Sequence, residues 1–288
     1  MEITFALLGL AICAVWMPSI ALSKSIRFPA WLIFFGCAIL SGLIYDYLSY
    51  EALFILCIYI SSAYCAQRFA TFPWLRYLFE VIVVLLTIGL VLHQLPGFHN
   101  PLLVSSVFLS SNAAPFTLYA KFDKASAGLV MLVFFCQRSR SFPEVTSVIK
   151  KTLPIILTTV ICLMTLTIVV GYAQVDFKLP PITAVFLLTK LFFTCVAEEA
   201  IFRGYLQERL SRLFLTIRFS GFMTVFFSGL LFGLAHAGGG FIYTSLAALA
   251  GIGYAYAYLC TKRIEAPILT HFALITVHFI GFTYPHVR

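Results

Sequence analysis

Long uninterrupted apolar runs leave this chain very few folds. They lie near 3–22, 29–45, 51–66, 77–95, 154–173, 181–201, 219–236, 241–260 and 266–283, with a shorter one at 125–136. Each of the longer runs approaches or reaches the roughly 17–25 residues that a helix needs to cross a hydrocarbon core of about 30 Å. Within a bilayer every backbone N–H and C=O must find its partner inside the chain, so only helices or closed barrels can cross. Barrel strands alternate polar and apolar residues over about 10 positions, and these runs do not alternate. The pattern predicts an all-α fold, a polytopic transmembrane helical bundle of about eight to ten spans. Composition excludes a soluble domain: 61% of the 288 residues are hydrophobic and 10% are charged. At about 25% charged, an ordinary soluble domain has enough charge to cover a water-facing surface; this chain does not.

The net charge of +8 does not point to nucleic acid, because the cations are spread through short connections and form no single patch. With an outside N-terminus and all the runs crossing, the inner connections hold Lys24, Arg27, Arg68, Arg76, Arg138, Arg140, Lys150, Lys151, Arg203, Arg209, Arg212, Arg218, Lys262 and Arg263. The outer ones hold only Lys121, Lys124, Lys178 and Arg288. This is the Lys/Arg bias of cytoplasmic loops, and it predicts a multi-pass protein of the inner (plasma) membrane. From Tyr205 to Phe219, arginines interleave with leucines and phenylalanines, which suits either an amphipathic segment at the interface or a basic connector. The eight cysteines form no C-x-x-C pair and read as small buried hydrophobes, neither a disulfide frame nor a zinc knot.

The polar residues that do not belong in lipid cluster in the last third. Glu198 and Glu199 follow the apolar run 184–197, Arg203 comes four residues after Glu199, His236 closes the run 226–235, and His271 lies within 266–275. A charge near the bilayer centre costs about 2.5–3.5 kcal/mol on insertion scales, so such groups face the bundle interior and pair with one another. Glu199 and Arg203, at i and i+4 with the acid first, can form an ion pair on one helical face. Glu198, about 100° round the helix, is not engaged by that pair. In apolar surroundings such a carboxyl holds its proton more tightly, which suits a group that must take and give one. The bland reading of each residue, a helix-end cap or a packed interior histidine, weakens when all need polar partners and can supply one another.

Glu198-Glu199-Ala-Ile-Phe-Arg203-Gly204 resembles the E-E-x-x-x-R-G signature of the CPBP intramembrane proteases, which include the Rce1-like CAAX prenyl endopeptidases and bacterial Abi proteins. Phe232-Gly-Leu-Ala-His236 resembles the second motif, F-x-x-x-H, and His271-Phe272 the start of the third, H-F-x-x-N. The resemblance implies N-terminal, family-variable transmembrane helices over 1–150 and a protease core over 151–288. It implies that Glu198 activates the water that attacks the peptide carbonyl, with Glu199 in support and tied to Arg203. His236 would position the water or shuttle the proton, and His271 would stabilise the oxyanion. The substrate would be a peptide or lipidated protein reached from the lipid bilayer. No cofactor is expected; the alternative is Zn²⁺ held by Glu198, His236 and His271, although the H-E-x-x-H of ordinary zincins is absent. One position departs from the pattern: the third-motif Asn is Ile275 here, and neither Thr276 nor His278 replaces it. Two other readings stay open from the residues alone. One is a proton-coupled transporter, with Lys190 as counter-ion; the other is a non-catalytic membrane protein that binds a partner, such as an immunity protein.

Overall fold

The computed structural model describes residues 2–21 and 27–288, so Lys24 lies outside the described residues. The chain is an all-α helical bundle with little sheet. Among the described residues, Tyr50–Arg68, Pro73–Val91, Phe142–Val169 and Phe241–Thr261 are long and apolar enough to cross a membrane, and Ile3–Trp16, Ala30–Ile44, Ser220–Leu234 and Glu265–Gly281 are shorter apolar helices. It divides into two compact units. One comprises Met1–Leu102, Tyr119–Phe135 and Phe192–Ala197; the other comprises Leu103–Leu118, Cys136–Leu191 and Glu198–Arg288.

In the first unit, helices Glu2–Cys13, Tyr50–Arg68 and Pro73–Val91 all contact helix Phe122–Phe135. That helix, at about 1.5 Å per residue, is shorter than the hydrocarbon core. It is buried at nearly every position from Phe122 to Leu132, as expected of a helix that is apolar all round. Its one buried acid is fully satisfied. Asp123 Oδ2 lies 2.6 Å from His93 Nδ1 and accepts from Asn100 Nδ2 at 3.0 Å, while Oδ1 accepts from the Lys124 N–H at 2.7 Å.

The second unit carries the site. Its core packs Leu163 and Met164 of helix Phe142–Val169 against Phe232, Leu246, Ala250, Tyr254 and Leu274. Helices Ser220–Leu234 and Phe241–Thr261 meet through small residues, as membrane helices do when backbones must approach closely. A Cβ on Gly233 would stand 2.5 Å from Ala248 Cβ, and one on Gly229 2.5 Å from Ile252 Cγ1.

Three details differ from the sequence reading. Lys150 and Lys151 are not in a connection. Helix Phe142–Val169 starts at a Ser141 cap, with Ser141 Oγ accepting from the Glu144 N–H at 3.4 Å and Pro143 in its first turn, so both lysines fall inside it. Two short two-stranded sheets are present, Ile20–Ala21 at the end of the first run with Arg27–Phe28, and Leu102–Val107 with Phe116–Tyr119 between runs. All eight cysteines are free, but only Cys195 is buried and five are exposed on helix surfaces. In a membrane-spanning chain an apolar side chain gains by facing lipid as well as core.

Close packing at Gly233 is testable. Gly233→Ala should destabilise the protein by about 1–3 kcal/mol through overpacking, read as a lower midpoint of thermal unfolding in detergent. Gly36→Ala, where nothing lies within 4 Å of the added carbon, should not lower it.

Candidate active site

The glutamate pair sits in a helical stretch that is not regular. It runs from Thr183 to Leu213, with π-helical turns at Leu191–Cys195 and Ala200–Gln207 on either side of the α-turn Val196–Glu199. π-turns recur at functional sites because the inserted residue changes which side chains share a face. Helix arithmetic requires the chain to turn near residue 217 if Glu198 and His236 are to share one depth. The stretch indeed continues to Leu213, turns through 214–219, and returns as helix Ser220–Leu234 with His236 just past its end. The segment after Tyr205 is thus first a continuation of the glutamate helix and only then a connector.

Glu199 is the hub. Its Oε1 is 2.8 Å from His271 Nδ1 and its Oε2 is 3.1 Å from Arg203 Nε, with the Glu199 and Arg203 side chains 0% exposed. The Arg203 contact is an ion pair whose direction falls short of a hydrogen bond. Arg203 Nη2 donates to the Gly251 carbonyl at 2.9 Å, and its guanidinium lies 4.7 Å from the ring centre of Phe232 and 5.5 Å from that of Tyr254. One turn further on, Gln207 Nε2 donates to the Ala255 carbonyl at 2.9 Å and its Oε1 accepts from Ser228 Oγ at 3.3 Å. The glycine of the signature also has a steric reason: a Cβ on Gly204 would collide with the Cys136 thiol.

Glu198 faces the two histidines. Its Oε2 lies 3.9 Å from His236 Nε2 and 3.9 Å from His271 Nε2; the Glu198 side chain is 10% exposed and that of His236 22%. Each imidazole is turned by its other nitrogen. Nδ1 of His236 lies 2.8 Å from the Phe232 carbonyl, and Nδ1 of His271 meets Glu199. Both partners only accept, so both Nδ1 atoms carry hydrogen, and each neutral ring presents a lone pair at Nε2. One carboxylate oxygen and two ring lone pairs therefore border one small space. A guest that brings hydrogens or positive charge can bridge them.

Zinc is one such guest, and Glu198, His236 and His271 are the residues that would hold it. Donors at about 2.1 Å on a tetrahedral ion stand about 3.4 Å apart, closer than the 3.9 Å seen here. Among the described residues no group of three His, Cys, Asp or Glu side chains is arranged to hold an ion.

All five residues singled out in the sequence thus lie together in the second unit. The Lys190 ammonium lies 5.6 Å from the ring centre of Phe186. Ile275 packs with the apolar cluster of Val104, Phe116, Phe186 and Phe279, and Thr276 donates to its own helix at the Phe272 carbonyl, 2.7 Å away. The aromatic frame was not anticipated. Tyr254 stacks on His271 at 4.5 Å and 16°, and Phe232 lies 4.6 Å from His236 and 5.8 Å from His271. An aromatic in a membrane helix has too many ordinary uses for sequence spacing to single it out.

Fold and site together define a helical membrane protein with a buried cluster of two glutamates, an arginine and two histidines. Residues 180–277, about a third of the chain, match the family model described as type II CAAX prenyl endopeptidase Rce1-like. This segment is similar to the Rce1-like domain of the CPBP intramembrane proteases, and the match supports an endopeptidase acting in the membrane. No curated protein and no solved structure matches the chain.

The hub makes a stability prediction. Arg203→Ala leaves the Glu199 carboxylate buried beside one imidazole only, and breaking such a pair costs about 3–5 kcal/mol. Thermal unfolding in detergent should show a large drop in midpoint. A variant as stable as the unchanged protein would mean that Glu199 is not held as an anion.

Proposed function

We propose that the protein is a glutamic-type intramembrane endopeptidase in which Glu198 activates the attacking water. The observation that carries this reading is the convergence of Glu198 Oε2 and two imidazole Nε2 atoms at 3.9 Å. Such a gap is too long for a direct hydrogen bond and can be bridged by one water. That water donates one hydrogen to Glu198 and the other to an imidazole, leaving its lone pair for the substrate. As the water oxygen bonds to the peptide carbon, Glu198 takes the proton and the carbonyl electron pair moves onto oxygen. Collapse of this tetrahedral species breaks the C–N bond while Glu198 returns the proton to the leaving nitrogen.

His236, the more exposed imidazole, orients the water. His271, oriented by Glu199 at its Nδ1, is placed to donate from a protonated Nε2 to the oxyanion. Because Ile275 cannot donate, His271 carries this task without help from that position. The substrate is a peptide segment, prenylated or otherwise apolar, that enters from the bilayer near the inner face of a plasma membrane. The basic connections support that orientation.

The test uses purified protein in detergent with two fluorogenic probes, a farnesylated CAAX-type peptide and an unmodified apolar peptide. Glu198→Gln should lower the rate on whichever probe is cleaved by at least about 10²–10⁴-fold with the melting temperature preserved. Wild-type cleavage by that variant would refute the role given to Glu198. Chelation by EDTA should leave the rate unchanged; loss on chelation with recovery on adding zinc would contradict the glutamic mechanism.

A further inference from the structure

We infer that Tyr243 is a positioning residue that locks the His236 ring in its working orientation. The inference rests on the reading of Glu198 and His236 given above. His236 does not sit inside a helix: it follows helix Ser220–Leu234, with φ −103° and ψ 12°. Its side chain makes one hydrogen bond, from Nδ1 to the Phe232 carbonyl, and one face rests on the Phe232 ring. A single hydrogen bond leaves the ring free to swing about that contact. A further constraint is Tyr243, whose ring meets His236 with centroids 5.7 Å apart and planes at 74°, a favourable edge-to-face arrangement.

The local backbone is built to deliver that ring. Ala237–Gly239 forms a 3-10 turn, and Gly240 reverses the chain at φ 86°, ψ 170°, a conformation essentially confined to glycine. Tyr243 then falls in the first turn of helix Phe241–Thr261. A Cβ on Gly239 would collide with the Tyr243 ring, whereas one on Gly238 would meet nothing within 4 Å. The far side of Tyr243 is braced by Tyr172, stacked at 6.3 Å and 16°. Tyr172 is itself tied down, its carbonyl accepting from the Val287 N–H at 3.0 Å. The triple glycine thus has two tasks, reversing the chain and clearing room for the ring that holds His236.

The ring, not the hydroxyl, does this work, and the test separates them. On whichever of the two probes is cleaved, Tyr243→Ala should lower kcat about 10–100-fold with KM nearly unchanged, the scale of a misplaced catalytic group. Tyr243→Phe should restore kcat to within about threefold. Gly239→Ala, which displaces the ring, should behave like Tyr243→Ala, while Gly238→Ala should behave like the unchanged protein. The pH profile of kcat should keep its shape in Tyr243→Phe and change in Tyr243→Ala. If Tyr243→Ala does not fold, Tyr243→Leu replaces it, keeping apolar volume without the ring. Wild-type kcat in the Ala and Leu variants, or equal loss in Tyr243→Phe, overturns the proposal. Failure of the underlying reading is distinct: there Glu198→Gln itself remains active.

Discussion

A buried carboxylate with two positive or hydrogen-bearing partners is the constraint from which the site follows. Glu199 cannot remain charged and dehydrated without Arg203 and His271, and those partners come from different places. Arg203 lies on the same helical stretch and reaches the Gly251 carbonyl on a second helix; His271 belongs to a third. One side chain thereby ties three helices together. Its neighbour Glu198, turned about 100° round the axis, is carried by the same arrangement to face the two imidazoles. The doubled glutamate therefore divides the labour: the second acid holds the scaffold, and the first meets the guest.

The protonation pattern of the pocket follows from what each ring leans against. A carbonyl and a carboxylate fix hydrogen on the two Nδ1 atoms, so each ring in its neutral form turns an acceptor, Nε2, toward Glu198. Peptide hydrolysis needs such a pocket, since the attacking water must be held by its hydrogens with its lone pair free. It must also acquire a donor as negative charge builds on the carbonyl oxygen. An imidazole that changes between acceptor and donor can serve both stages without any backbone movement.

Much of this was legible in the residues. Continuous apolar runs require helices in a bilayer, and the Glu199–Arg203 spacing matched the ion pair found. The arithmetic placing the turn near residue 217 held because the glutamate helix extends to Leu213. Other features were hidden for physical reasons. A π-turn looks like any apolar stretch in one dimension, and the start of helix Phe142–Val169 is set by a Ser141 cap and Pro143, upstream of the hydrophobic signal. The contacts of Tyr254 and Phe232 with the imidazoles depend on three helices meeting, which no local pattern encodes. Cysteine exposure is not legible in the sequence because burial and lipid contact favour the same composition.

The most direct measurement is a density map of the protein at a resolution that shows ordered water, recorded in a lipid nanodisc. The account expects one water within about 2.6–3.2 Å of Glu198 Oε2 and of at least one of the His236 and His271 Nε2 atoms. Glu199 should bridge Arg203 and His271 in the same map. A Glu198 carboxylate turned toward acyl chains, or a metal-sized peak about 2.1 Å from both imidazoles, would contradict it.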